Sequence, residues 1–112
     1  MTNEQFDTVL TNRIREIRLV LVRKAREYAG ADDRLHNFKA AARMFGGTQE
    51  SALIGMFAKH MVSVLDIVAK VGNAESVSES MVNEKIGDSI NYLILLEACL
   101  IEDLAVLNKV DK

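Results

Sequence analysis

The sequence predicts an all-α fold, a four-helix bundle-like arrangement in a single domain over residues 1–112. Three observations lead there. The chain has no proline and only six glycines, so little interrupts the backbone hydrogen-bond ladder. Between the few turn signals lie long stretches rich in Ala, Leu, Met, Glu, Lys and Arg, the residues that lose least on entering a helix. Within those stretches apolar residues recur at three- and four-residue spacing. With 112 residues, 49% of them hydrophobic, one domain burying roughly two-thirds of its unfolded surface suits the length and a second does not.

The first helix is expected over about residues 3–29, where Phe6, Leu10, Ile14, Ile17, Leu21, Ala25 and Tyr28 form an apolar stripe. Arg13, Arg15, Arg18, Arg23, Lys24 and Arg26 give it a basic outer surface. Gly30 to Asp33 reads as a turn and cap, with Asp32 or Asp33 accepting from the first amides of a second helix over about 33–45. That helix turns Leu35, Phe38, Ala41, Ala42 and Phe45 inward and stops at Gly46 and Gly47. Thr48 caps a third helix, about 49–71, with Gly72 at its end. Its apolar band is Leu53, Phe57, Met61, Val64, Leu65, Val68 and Val71, and Lys59, Ser63, Asp66 and Lys70 form the opposing polar strip. Ser76 and Glu79 have the spacing of a capping box for a fourth helix, about 78–107. Ile86, Ile90, Leu93, Leu100 and Leu104 make its apolar side. Glu97 falls within that side, where a buried carboxylate needs a partner.

Composition excludes several function classes. Lys and Arg number 14 against 16 Asp and Glu, a balance with no large positive field to capture nucleic acid. Cys99, alone in an apolar run, suits burial rather than a disulfide or metal motif. The first residues, MTNEQFD, lack the basic start and apolar run of a secretion signal, and nowhere do about 20 apolar residues pass without a charge. The expectation is a soluble cytoplasmic protein with no membrane partner.

The segment Val82 to Tyr92 concentrates the chemistry. On a helix Glu84 and Asp88 stand one turn apart, with Asn91 and Tyr92 just beyond on the same side, so the two carboxylates can share one cation. Val82, Ile86, Ile90 and Leu93 lie opposite, as the face expected to enter the core. The acidic face continues into Leu95, Ala98 and Cys99, which places Asp88 at the mouth of a buried region. Asp and Glu suit Mg2+ or Mn2+, hard ions that bind carboxylate and water while bridging to substrate phosphates. Lys59 and the arginines of helix one can supply countercharge. His60, at the border of its helix's apolar band, reads as a partly buried, hydrogen-bonded side chain or as a substrate contact. Zinc-type Cys and His clusters and a glycine-rich phosphate loop ending in Lys and Ser or Thr are both missing.

REYAGADDRLHNFKAAARMFG, then GMFAKHMVSVLDI, then the spacing of Glu84, Asp88 and Tyr92 resemble the nucleotide modification associated domain proteins of phages and bacteria. These are similar to the MazG-type all-alpha nucleoside triphosphate pyrophosphohydrolases. The resemblance covers about Lys24 to Leu96 and rests on a Tyr28-x-Gly30 turn leading to Asn37 and Phe38, on Lys59, and on the acid-x3-Asp88-x3-Tyr92 ending. It implies magnesium-dependent cleavage of a nucleoside triphosphate to monophosphate and pyrophosphate, in the host cytoplasm for a phage protein. It also implies a homo-oligomer, dimer or tetramer, with sites near subunit interfaces. Glu84 and Asp88 then correspond to catalytic metal-binding acids and Lys59 to a catalytic lysine, with Tyr28, Asn37, Lys59, His60 and Tyr92 around the nucleotide. The sequence departs from the best-characterised branch in lacking an EExxE cluster on an earlier helix, a role that would pass to Asp32, Asp33 or Asp66. A non-catalytic helical adaptor or regulatory protein is the alternative, on the strength of that missing cluster and the excess of apolar helix surface.

Overall fold

A computed structural model describes residues 1–23 and 33–110. Among the described residues every regular element is helical: α1 (Asn3–Arg18), a π-helical turn (Leu19–Arg23), α2 (His36–Phe45), α3 (Gln49–Gly72) and α4 (Glu79–Val110). Helix α4, 32 residues and about 48 Å long, runs nearly the full 52 Å length of the molecule. Helix α3 packs against it as the main pair, α2 lies on α3, and α1 touches α4. The all-α, bundle-like architecture expected from the composition is present.

Local chemistry accounts for the helix ends. Thr2 and Thr48 each accept from the third amide beyond them while that residue's side chain, Gln5 or Ser51, returns a bond to the cap. Asp33 Oδ1 accepts from the Leu35 amide at 2.9 Å and its carbonyl from His36 at 3.2 Å, so this aspartate organises the turn into α2. Gly46 closes α2 with φ +70°, its amide donating to the Ala42 carbonyl. Two ends differ from expectation. Ser78, not Ser76, caps α4, its Oγ accepting from the Met81 amide at 3.1 Å. Gly72 remains inside α3, and Ala74 takes the left-handed position with φ 59° while the Glu75 amide donates to the Lys70 carbonyl. The first helix also departs from its expected course: its α-helical part ends at Arg18, and residues 24–32 lie outside the described residues.

Burial reverses the expected polarity of α4. The residues fully excluded from solvent are Leu53 and Cys99, joined by Leu35, Phe38 and Phe57, with Met56, Tyr92, Leu95 and Leu96 packed against them. The core side of α4 is therefore Asn91, Leu95 and Cys99, continuous with Asp88. Ile86 and Leu93, expected inside, are exposed, and so is Glu97, which needs no buried partner. The start of the α1 stripe is uncovered as well, Phe6, Leu10 and Ile14 being exposed, while Ala25 and Tyr28 lie outside the described residues. Phe45, expected in the core, is 83% exposed, and Met61, Leu65, Val68 and Val71 of α3 are exposed too. The physical reason is that α4 is apolar on nearly all sides, so periodicity alone leaves its core side undetermined, while its main packing partner is α3.

Arg13 joins helix α1 to α4. It lies across Gly87, whose missing side chain leaves room for the guanidinium, and donates to the Asn83 carbonyl at 2.8 Å. The left-handed Ala74 yields a direct test of the α3 terminus. An L side chain there costs about 1 kcal/mol that glycine avoids, so Ala74→Gly raises the urea unfolding free energy by roughly 0.5–1 kcal/mol.

Candidate functional site

Two polar groupings lie on the inner side of α4. The first is built from residues singled out by sequence. His60, mid-way along α3, is half-buried with its Nδ1 3.6 Å from Asp88 Oδ2. Its ring tilts against Tyr92 with centroids 4.8 Å apart, and Tyr92 in turn meets the edge of Phe57 at 5.7 Å. Burial, and secondarily the Asp88 carboxylate, raises the Tyr92 phenol above its ordinary value, so Tyr92 is a neutral aromatic surface. The cluster joins a carboxylate, an imidazole and a phenol at the rim of the core, held by the core residue Phe57.

Glu84 is exposed one turn before Asp88 on the same helix, and Lys59 is exposed beside His60 in sequence. Neither forms an ion pair among the described residues. Asn37 stands in the first turn of α2, whose Lys39 pairs with Glu102 rather than with the Asp88 end of α4. Tyr28 and Asp32 lie outside the described residues. The structure thus brings together Asp88, His60 and Tyr92, with Glu84 one turn away.

Asp33, expected to supplement Glu84 and Asp88, is held elsewhere. Asp33 Oδ2 is held by Lys39 at 2.6 Å, and the same ammonium reaches Glu102 Oε1 at 2.9 Å. Glu102 is fourteen residues, about 21 Å, along α4 from Asp88, so Asp33 serves the other end of the helix. Asp66 is exposed on α3, six residues past His60. Among the described residues no group of three or more His, Cys, Asp or Glu side chains is placed to hold a metal ion. Two carboxylates one turn apart still suit Mg2+, which keeps several waters and takes only one or two protein carboxylates beside substrate phosphates.

The second grouping was not singled out from sequence. Buried Gln49, at the start of α3, donates from Nε2 to the Cys99 carbonyl at 3.3 Å and lies 3.2 Å from Asp103 Oδ1 and 3.4 Å from Glu102 Oε1. The Asp103 carboxyl group beside it, then burial, raises the Glu50 carboxyl above its ordinary value. Lys39 is pushed well above the usual lysine range by its bonds to Asp33 and Glu102, and Asp33 is correspondingly lowered. Burial, helped by the facing Glu50 and Asp103, pushes the Cys99 thiol up to about 11, which keeps it protonated and unreactive. The sequence signal was present: Glu102 and Asp103 follow Cys99 by three and four residues, on the line already carrying Asp88 and Leu95.

Chemically, the first grouping offers a carboxylate beside an imidazole and aromatic faces on which a planar ligand can stack. The second sets Glu50 against Asp103 beside a lysine that bridges Asp33 and Glu102. Comparison with protein-family models finds no match, and neither does comparison with curated proteins or with solved structures.

The Glu50 and Asp103 pair has a pH signature. A carboxyl whose folded value is raised contributes stability that is complete below its ordinary value of 4.5 and is lost as pH climbs through the raised value. Glu50→Gln supplies a permanent donor to Asp103, so its melting temperature falls less than wild type between acid and neutral buffer. At neutral pH the variant melts a few degrees higher, as thermal unfolding across a pH series will show.

Proposed function

We propose that this protein hydrolyses a nucleoside triphosphate to monophosphate and pyrophosphate with the help of Mg2+ or Mn2+. The observation that carries this reading is the joining of Asp88, His60 and Tyr92 at the rim of the core, one helical turn from Glu84. The likeness of the Glu84, Asp88 and Tyr92 spacing to MazG-type pyrophosphohydrolases supports it.

In this reading Glu84 and Asp88 would hold the cation, which when bound would activate water and neutralise charge on the departing pyrophosphate. His60, with its Nδ1 3.6 Å from Asp88 Oδ2, would orient that carboxylate and exchange a proton with solvent or substrate through a bridging water. The rings of Tyr92 and His60 offer an apolar, planar surface against which a base can stack. Lys59, exposed on the adjacent helix position, reaches outward with a flexible ammonium suited to phosphate oxygens.

A second reading, a non-catalytic adaptor or regulatory protein, is favoured by a different observation: Ile86, Leu93, Met61 and Leu65 remain exposed on the face beside this cluster. Activity separates the two. Pyrophosphate release assayed against a panel of canonical-base and modified-base triphosphates, with Mg2+ or Mn2+, is expected for the wild type. Asp88→Asn lowers the rate by about 100-fold or more while the far-ultraviolet circular dichroism is retained. Absence of release from every triphosphate with both metals removes the enzymatic reading and leaves the adaptor.

A further inference from the structure

Helix α1 carries arginines on several sides, and one of them stands apart. Arg15 and Arg18 are exposed, Arg15 bonding Asn12 of its own helix at 2.9 Å. Arg13 is half-buried and reaches across to α4, where its Nη2 donates to the Asn83 carbonyl at 2.8 Å. Among the described residues it pairs with no carboxylate. A partly desolvated cation without a counter-ion is costly, and an anion arriving from outside relieves that cost.

The seat of this guanidinium depends on a glycine. Gly87 is the ninth residue of the 32-residue α4, an interior position where only proline forms helix more poorly. A β-carbon there would collide with Arg13 Nη1 and stand 3.4 Å from its Cζ. At Gly55 and Gly72, also within helices, a β-carbon would meet nothing within 4 Å. Gly87 is therefore the helical glycine whose missing side chain admits another residue to the backbone.

That seat borders the acidic ridge. Asn83 precedes Glu84 and Gly87 precedes Asp88, so the guanidinium lies on the stripe next to the two carboxylates, roughly 8 Å round the helix from them. On the opposite flank stand Tyr92 and His60. The order round α4 is thus aromatic rings, carboxylates, guanidinium.

We infer that Arg13, seated on Gly87, binds a phosphate oxyanion at the tail of a di- or triphosphate ligand that lies across α4. The planar fork of an arginine gives two parallel hydrogen bonds to phosphate oxygens. Rings for a base, acids for a cation and a guanidinium for the tail follow the order of parts in a nucleotide. That identity of the ligand rests on the hydrolytic reading above, whereas the oxyanion site rests on Arg13 and Gly87. Glu84 and Asp88 repel a bare anion, so the ligand is one that shares a divalent cation with them.

Calorimetric titration of the full chain with inorganic pyrophosphate in Mg2+ buffer tests the site without turnover. The wild type binds, and Arg13→Gln weakens binding by at least about 10-fold. Arg13→Lys, which keeps the charge and loses the fork, falls between the two. Gly87→Ala favours the helix and displaces only the end of a flexible side chain, so it keeps the fold and weakens binding several-fold. A residue that merely clamps α1 to α4 would change the melting temperature and leave pyrophosphate affinity alone. Affinity unchanged in Arg13→Gln or in Gly87→Ala overturns the inference, as does a wild type that takes up no pyrophosphate at millimolar concentration. Arg13-dependent binding of single-stranded DNA that exceeds pyrophosphate binding at equal phosphate also overturns it. Pyrophosphate binding without release from any triphosphate upholds the oxyanion site and removes only the hydrolytic reading.

Discussion

Leu53 and Phe57 of α3 wedged against Tyr92, Leu95, Leu96 and Cys99 of α4 form the contact on which the rest of the molecule depends. It is the place where two long helices exclude water from each other, and α2 adds Leu35 and Phe38 to the same cluster. Burying a Leu or Phe side chain is worth about 1.5–3 kcal/mol, so a handful of such residues is a thin margin against the entropy of ordering the chain. The contact selects which side of α4 faces inward, and that choice fixes where every polar side chain of the helix ends up.

Because the inner side is Asp88, Asn91, Tyr92, Leu95, Cys99, Glu102 and Asp103, carboxylates at both ends of the core are brought to its rim. At one end Asp88 meets His60, and at the other Glu102 and Asp103 meet Lys39, Gln49 and Glu50. The two ends do different physical work. Lys39 bridges carboxylates from α4 and the α2 turn, so the second grouping ties three elements together. The Asp88 end faces a surface with Glu84 and Lys59 exposed nearby, which leaves it open to a ligand. Asn91 Oδ1, Gln49 Oε1 and Glu50 Oε1 are buried without a hydrogen-bond partner among the described residues, a cost borne along this same inner strip.

The helical class was legible because it follows from composition and spacing, which tertiary packing does not alter. Capping at Thr48 and the turn at Asp33 were legible for the same reason, being local chemistry. The direction of α4 was not. Ile86, Ile90, Leu93, Leu95, Leu96 and Cys99 surround the helix, and a pattern apolar all round contains no information about which side meets α3. The closeness of Asp88 and Tyr92 to one another was readable from helix geometry, while their meeting with His60 required the pairing of α3 with α4. Glu50 and Asp103, more than fifty residues apart, were beyond any argument from spacing. The exposed stripes of α1 and α3 read as core residues because periodicity reports that a face is apolar and not what covers it.

The inward placement of α4 is tested most directly by the one thiol in the chain. Cys99 is wholly excluded from solvent on the inner side, one turn before Glu102 and Asp103. A small thiol reagent should modify the native protein at least about 1,000-fold more slowly than the urea-unfolded chain, at a rate that rises with global destabilisation. Modification of the native protein at the rate of an unfolded chain would show that the Cys99 side of α4 faces solvent, and would contradict the account.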